Sequence, residues 1–373
     1  MQTVAFITLF IVFASGLAIL LYMVIASLFR VFHLKKKKNH PDCYAPVSII
    51  IACYNEEHYI RSKVESFIDP DEWIDGSELI IVSGGSTDRT NEILAEYKDN
   101  KNIRVIVLEQ RITKIIGVNL AVANSKHDIL VFSDCRQRMQ KGSVKKLIAP
   151  LGNPEIGTVS STLKDDKGMD KMSFVRNMMN WIAFNESTSR SSLNLFGALY
   201  AQRRSVFRTI PEDILFDDLF VTVSTMIQRK KLAQTSEAVI HDIRFKDYYK
   251  KERIERLARG LLIFIVLHKS LFFKLPAGSF IRFVIYKYLK LVLPFVLCIM
   301  LLSVLVLAGS FFDLTWFLAV LGFVFMIMVI PKTRDALIVF TRVQFYFMTA
   351  TLKFIFLNER SIAWPKLKVS NTE

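Results

Sequence analysis

The chain has only four cysteines, Cys43, Cys53, Cys135 and Cys298, and none stands at disulfide-framework or metal-ligand spacing. Their scarcity excludes a disulfide-stapled scaffold and leaves reduced thiols, as expected of a cytosol-facing domain. Internal repeats and low-complexity tracts are absent, so neither organises the chain. Acidic residues are in short supply, 34 Asp and Glu against 49 Lys and Arg, for a formal net charge of +15. Such an excess raises nucleic acid as a partner, but no aromatic-basic recognition motif accompanies it. Lys35 to Lys38 instead follow directly on an apolar span, and other basic residues crowd near the later apolar stretches. That distribution fits the positive-inside rule and anionic lipid headgroups, so membrane lipids are the expected partner and nucleic acid is not.

What the chain does have is apolar length. It is 52% hydrophobic with 30 Phe, and the apolar residues gather at its two ends, the pattern of a membrane protein with a soluble middle. Thr3 to Leu34 carries no charge before Arg30 and reads as a retained anchor with its N-terminus outside and Lys35 inside. Leu261 to Leu289 mixes apolar residues with Lys269, Lys274, Arg282 and Lys287 around a break at Pro276, which suits helices lying in the interface. Leu291 to Ile330 lacks Lys and Arg and is long enough for two spans of roughly 20 residues. Ala336 to Leu357 has the length of a further span, yet Arg342 and Lys353 suit an interfacial or re-entrant helix; both readings stay open. The expected layout is an anchor at 1–38, a catalytic domain at 46–260, interfacial helices at 261–290, a membrane region at 291–357 and a tail at 358–373. It describes a multi-pass protein of the plasma or inner membrane whose soluble domain is cytosolic.

From Val47 strands and helices alternate, which predicts an α/β domain with a Rossmann-like, mostly parallel sheet. Strands are expected at Val47 to Cys53, Leu79 to Val82, Ile103 to Leu108 and Ile129 to Phe132, with helices between them and another around Lys114 to Ala123. Further on, Ile156 to Leu163, Leu195 to Ala201 and Ala238 to Ile240 read as strands. Helices are expected around Phe174 to Phe184, from Asp217 to about Gln228, and in a basic segment ending before Gly260. The first four strands all end in polar or glycine residues: Asn55 and Glu56, Ser83 to Ser86, Glu109, then Ser133 and Asp134. Parallel strands bring such ends to one edge, where open α/β sheets bind ligands. Asp134, closing a strand buried on both faces, is the candidate to hold a divalent metal against phosphates; a helix-capping acid is the plainer alternative.

In their order these segments resemble the family 2 glycosyltransferases, membrane-bound inverting enzymes of the GT-A fold, over about Val47 to Gly260. Ser48 to Glu57 is similar to the opening strand and nucleotide loop, and Gly85 to Thr90 to the second signature. Lys114 and Asn119 keep the spacing of the Gly-Lys…Leu-Asn segment. Asp134-Cys-Arg136 stands where Asp-x-Asp is expected, Asp217-Asp218 resembles the Glu-Asp pair, and Arg253 to Leu257 resembles Gln-x-x-Arg-Trp. The resemblance implies Asp218 as general base and Asp217 seating the acceptor. It also implies Mg²⁺ or Mn²⁺ on Asp134; His241, a lone His after a strand, is read either as a second metal ligand or as a structural residue. Donor contacts would come from Tyr54, Asn55, Glu56, Ser83, Gly84, Lys114, Asn119 and Asp134, with Arg253 and Arg256 clamping the diphosphate. The chain departs from the pattern at Ser83 and Gly84, where many members have two Asp, at Arg136, at Thr113 and at Leu257. The implied reaction moves a sugar from a UDP- or GDP-linked donor to a growing polysaccharide or glycan. A lipid-linked acceptor and a non-catalytic scaffold are the competing readings.

Overall fold

A computed structural model describes residues 42–165, 170–242, 251–289, 291–299 and 331–357, with Ile7 besides. The expected anchor at 1–38, most of the two spans in 291–330 and the tail at 358–373 therefore lie outside the described residues. Described residues within 25–244 and 270–279 form one unit, and those within 1–24, 245–269 and 280–373 form another.

The first unit is built on β1 (Val47–Cys53), β2 (Glu78–Gly84), β3 (Ile103–Leu108) and β4 (Ile129–Ser133). These four pair in parallel, with Ile51 opposite Ile81 on one side and Ser133 on the other. Their β-branched runs suit a strand covered on both faces, and Ile49, Ile50 and Ile51 are each at most 2% exposed. Burying one such side chain stabilises by about 1.5–3 kcal/mol, so the parallel core fixes the register of every loop at its carboxyl edge. Helix α1 (Ile60–Ile68) lays Ile60, Val64 and Phe67 into that core at helical spacing. Helix α2 (Thr90–Ala95) adds Ile93 and Leu94. Helix α3 (Lys114–Ala123) is N-capped by Thr113, whose Oγ1 accepts from the Ile116 amide at 3.3 Å.

The remaining strands are β5 (Arg138–Met139), β6 (Ile156–Asp165), β7 (Leu199–Arg203) and β8 (Lys231–Asp242). The sheet order is β3-β2-β1-β4-β7-β6-β8-β5. Strand β7 runs antiparallel to both β4 and β6, β8 is parallel to β6, and β5 is antiparallel to β8. Three of these strands differ from the sequence reading. Strand β8 starts seven residues before Ala238, carrying the buried Gln234 into the core, where its Nε2 donates to the Ser161 carbonyl at 2.7 Å. Strand β7 starts at Leu199 rather than Leu195, since the amides of Leu193 and Asn194 turn to the side chains of Glu186 and Ser192. Strand β5 was not expected; its two residues are too few to carry a periodic signal. Helix α4 (Ser143–Ile148) starts on the Glu72 carboxylate, which accepts from Ser143 N at 2.9 Å and Val144 N at 2.7 Å. Helix α5 (Asp170–Ser189) extends beyond both ends of the expected 174–184 segment.

Helix α6 (Asp217–Ile227) precedes β8. Beyond residue 250 the described chain is helical. Helix α7 (Lys251–Phe273) joins the expected basic helix to the apolar stretch after Gly260 in one element, and departs from helical geometry only at His268 (φ −118°, ψ 24°). Pro276 does mark a break, and α8 (Ala277–Phe283) follows it. Helix α9 (Pro331–Phe356) begins earlier than the expected Ala336, with Pro331 in the first turn where a missing N–H costs nothing. Glu255 on α7 pairs with Lys353 on α9 at 3.5 Å. Among the described residues no helix is long and apolar enough to cross a membrane, α9 included.

Candidate active site

The carboxyl ends of β1 to β4 share one edge, and the loops leaving β1 and β2 are stitched together there. Asn55, with φ at 54°, donates its amide to Ser86 Oγ at 3.1 Å, and its Oδ1 accepts from the Thr87 amide at 2.8 Å. The Glu56 amide donates to Thr90 Oγ1 at 2.8 Å. Gly85 lies at φ 73°, and a Cβ there would meet the backbone of Gln110 at 2.5 Å, so only glycine fits the turn. Arg111, from the loop after β3, lies over the Tyr54 ring with 4.6 Å to its centroid.

Lys114 opens α3 and joins two acids that are far apart in sequence. Its Nζ lies 2.7 Å from Oδ1 of Asp134 at the end of β4 and 3.0 Å from Oδ2 of Asp217 at the start of α6. Burial draws the ammonium's pKa down, but the two carboxylates more than reverse this and hold it well above its ordinary value. Burial likewise pushes the Asp217 carboxyl up, and the Lys114 charge and hydrogen bond outweigh it, leaving Asp217 below its ordinary value. Ile50, Val118, Phe132, Tyr200 and Gly197 close around the trio on a cavity of about 10 Å³, room for roughly one water.

Asp218 follows Asp217 at the helix start, and its Oδ1 accepts from the Leu219 amide at 2.7 Å. A Cβ built on Gly197 would lie 3.6 Å from that of Asp218. Tyr200, buried and stacked on Phe132 at 4.6 Å, sits amid the charges. Burial first, then Asp217, Asp134 and Asp218 among its neighbours, raise its phenol well above the ordinary range, so it stays a neutral donor. The residues 134 and 218 thus act on one buried ring. Tyr200 and Gly197 escaped the sequence reading; a Tyr in an otherwise apolar strand was the only cue to the first.

Other expected site residues are placed differently. Ser83 is fully buried, donating to Asn91 Oδ1 at 2.6 Å and sharing a hydrogen bond with Ser86 Oγ at 2.9 Å, so it braces the turn. Gly84 is buried too, and a Cβ there would strike the Ile112 side chain at 2.7 Å. Asn119 uses both ends of its amide on Ile210, donating to its carbonyl at 2.8 Å and accepting from its N–H at 3.0 Å. It therefore pins the 210 segment. Glu56 is taken up by Arg136, whose Nε donates to its two oxygens at 2.8 and 2.9 Å. His241 lies on β8 opposite Arg138, with β7 and β6 between that strand and β4. Arg253 and Arg256 lie on α7, in the other unit.

The expected metal site does not assemble from these residues. Asp134 already carries an ammonium, and Arg136, bound to Glu56, stands in place of a second acid. Among the described residues no three His, Cys, Asp or Glu side chains converge on a common point.

Residues 48–211 match the family model described as Glycosyl transferase family 2. The chain is similar to the poly-beta-1,6-N-acetyl-D-glucosamine synthase of Staphylococcus epidermidis, 27% identical over 161 residues that make up 38% of each chain. It is also similar to the putative teichuronic acid biosynthesis glycosyltransferase TuaG of Bacillus subtilis (strain 168), 32% identical over 103 residues, 27% of this chain and 39% of that one. The matched segment thus spans well under half the length of either relative. A solved structure, the mannosyltransferase PcManGT from Pyrobaculum calidifontis in complex with GDP-Man and Mn²⁺, covers 96% of this chain and 99% of its own at a TM-score of 0.73 and 20% identity. The fold is therefore GT-A-like, an α/β, Rossmann-type, mostly parallel sheet.

Proposed function

We propose that this chain is a membrane-integrated, inverting glycosyltransferase that moves a sugar from a UDP- or GDP-linked donor to a growing polysaccharide or glycan. The observation that carries the reading is the gathering of Asp134, Lys114 and Asp217 at the sheet's carboxyl edge, with Asp218 beside Gly197. Inverting transfer needs a base on the acceptor hydroxyl while the diphosphate leaves from the opposite side of the anomeric carbon. Asp217 is pinned by Lys114, so the base role falls to Asp218, which would take the acceptor proton as the new glycosidic bond forms. The family resemblance gives Arg253 and Arg256, three residues apart on α7, the role of a diphosphate clamp. The named activities of the two curated relatives support a polysaccharide acceptor, and the apolar ends of the chain support membrane integration.

A lipid-linked acceptor is the second reading. It draws on α9, which keeps Arg342 and Lys353 and is not apolar enough to cross, leaving fewer spans to line a polymer channel. Membranes holding the full chain, incubated with a panel of radiolabelled UDP- and GDP-sugars, separate the two. Label in high-mass polymer supports the first and label in an organic extract the second. Equal incorporation by Asp218→Asn and the parent chain would remove both and leave the scaffold reading.

A further inference from the structure

Expelling a diphosphate requires a cation to meet the charge that builds on it. In this chain the protein itself already supplies one at the expected place. Lys114 Nζ sits 2.7 Å from Asp134 and 3.0 Å from Asp217, held at the first turn of a helix that Thr113 caps. An ammonium has three N–H donors; two are accounted for by these acids, and the third is available to a phosphate oxygen. A divalent ion on Asp134 would face this ammonium across a few ångströms in a partly dry site, where like charges repel strongly. The position that would offer the ion a second carboxylate is Arg136, which adds another fixed positive charge to the same edge while engaging Glu56.

We propose that Lys114, in place of a divalent metal, is the cation that meets the leaving diphosphate, so that donor binding and transfer proceed without Mg²⁺ or Mn²⁺. This rests on the glycosyltransferase reading. In the step itself the acceptor oxygen bonds to the anomeric carbon and its proton passes to Asp218. The bond from that carbon to the phosphate oxygen breaks, and the nucleoside diphosphate departs with the electron pair. The Lys114 ammonium keeps its proton throughout and pairs with the oxygen that gains charge.

The test uses the full chain in detergent, with UDP, GDP, uridine and guanosine as probes in titration calorimetry, each in excess EDTA and in excess MnCl₂. The expected result is that one diphosphate binds with the same affinity, to within about twofold, in both conditions. Lys114→Met should weaken that diphosphate by at least about tenfold while leaving its nucleoside unchanged, and Lys114→Arg should retain most of the affinity. The nucleoside control separates a lost phosphate contact from a misfolded site, and the parent chain in EDTA decides even if Lys114→Met does not fold. Binding about tenfold or more tighter in MnCl₂ than in EDTA would overturn the inference and leave the glycosyltransferase reading standing. So would a Lys114→Met protein that binds the diphosphate as well as the parent. Failure of both diphosphates to bind in either condition would overturn the inference and the reading together.

Discussion

Arg136 donates through Nε to both carboxylate oxygens of Glu56, at 2.8 and 2.9 Å, and so ties the loop after β4 to the loop after β1. Where the family resemblance calls for a second acid, the chain has a strut. Glu56 is the more enclosed partner, its side chain 13% exposed against 30% for Arg136. Burial raises its carboxyl above the ordinary value, and Arg136 only partly offsets this.

Removing Arg136 therefore costs more than removing Glu56. Arg136→Met should lower stability at pH 7 by about 1.5–3 kcal/mol, the range for hydrogen bonds to charged groups, and Glu56→Gln by less. For an acid whose folded-state value is raised, the penalty is present at neutral pH and fades as falling pH protonates it. Thermal melts in detergent at pH 7 and pH 5 should show the Arg136→Met deficit shrinking at the lower pH; a deficit independent of pH would assign the loss to packing.

The adjacent acids Asp217 and Asp218 should separate cleanly on substitution. Asp218→Asn is expected to reduce sugar transfer by about 10²–10⁴-fold, the usual span of a general base, with little change in melting temperature. Asp217→Asn removes a partner from the buried Lys114 and should cost stability as well as activity. Running both variants through one transfer assay and one melt checks this; the reverse pattern would exchange the roles of the two acids.

Much of this edge was legible in the sequence because its parts obey short-range rules. The β1, β3 and α3 boundaries follow from short apolar-rich runs, and parallel pairing then delivers Asn55, Gly84 and Asp134 to one side. What was hidden depends on long-range partners. Nothing local tells that Asn119 will pin Ile210, 91 residues later, or that Arg136 will reach back 80 residues to Glu56. Strand β8 was mostly missed for the same reason: Gln234 and Thr235 look like loop residues until β6 meets them, through the Ser161 carbonyl and the Thr162 hydroxyl.

Two glycines on this edge should respond oppositely to alanine. At Gly85 the backbone is at φ 73° and a Cβ would sit 2.5 Å from Gln110, so Gly85→Ala should destabilise by about 1–3 kcal/mol. At Gly197 the nearest atom to an added methyl is the Asp218 Cβ at 3.6 Å, an ordinary contact. Gly197→Ala should melt like the parent and still lose transfer activity, because the methyl crowds the space beside Asp218. Normal activity in that variant would mean the acceptor approaches Asp218 from another side.

Lys63 provides the clearest titration. It is 4% exposed on α1, and its Nζ donates to the Gln137 carbonyl in the loop after β4. Burial lowers its value from 10.5 to about 8, although Cys135 and Asp134 pull the other way. Between those two values the unfolded chain holds a proton on this lysine that the folded chain has released. Stability should therefore climb as pH rises from about 8 to 10.5, by about 3 kcal/mol from this group alone, and be flat with respect to it below 8. Lys63→Met should remove this contribution while orphaning one carbonyl, so that the gap between the two curves changes by about 3 kcal/mol across the window. Melting both proteins in detergent at intervals from pH 7 to 10.5 isolates the group, since every other titration is common to the pair. A gap that stays constant across the window would place the released proton elsewhere.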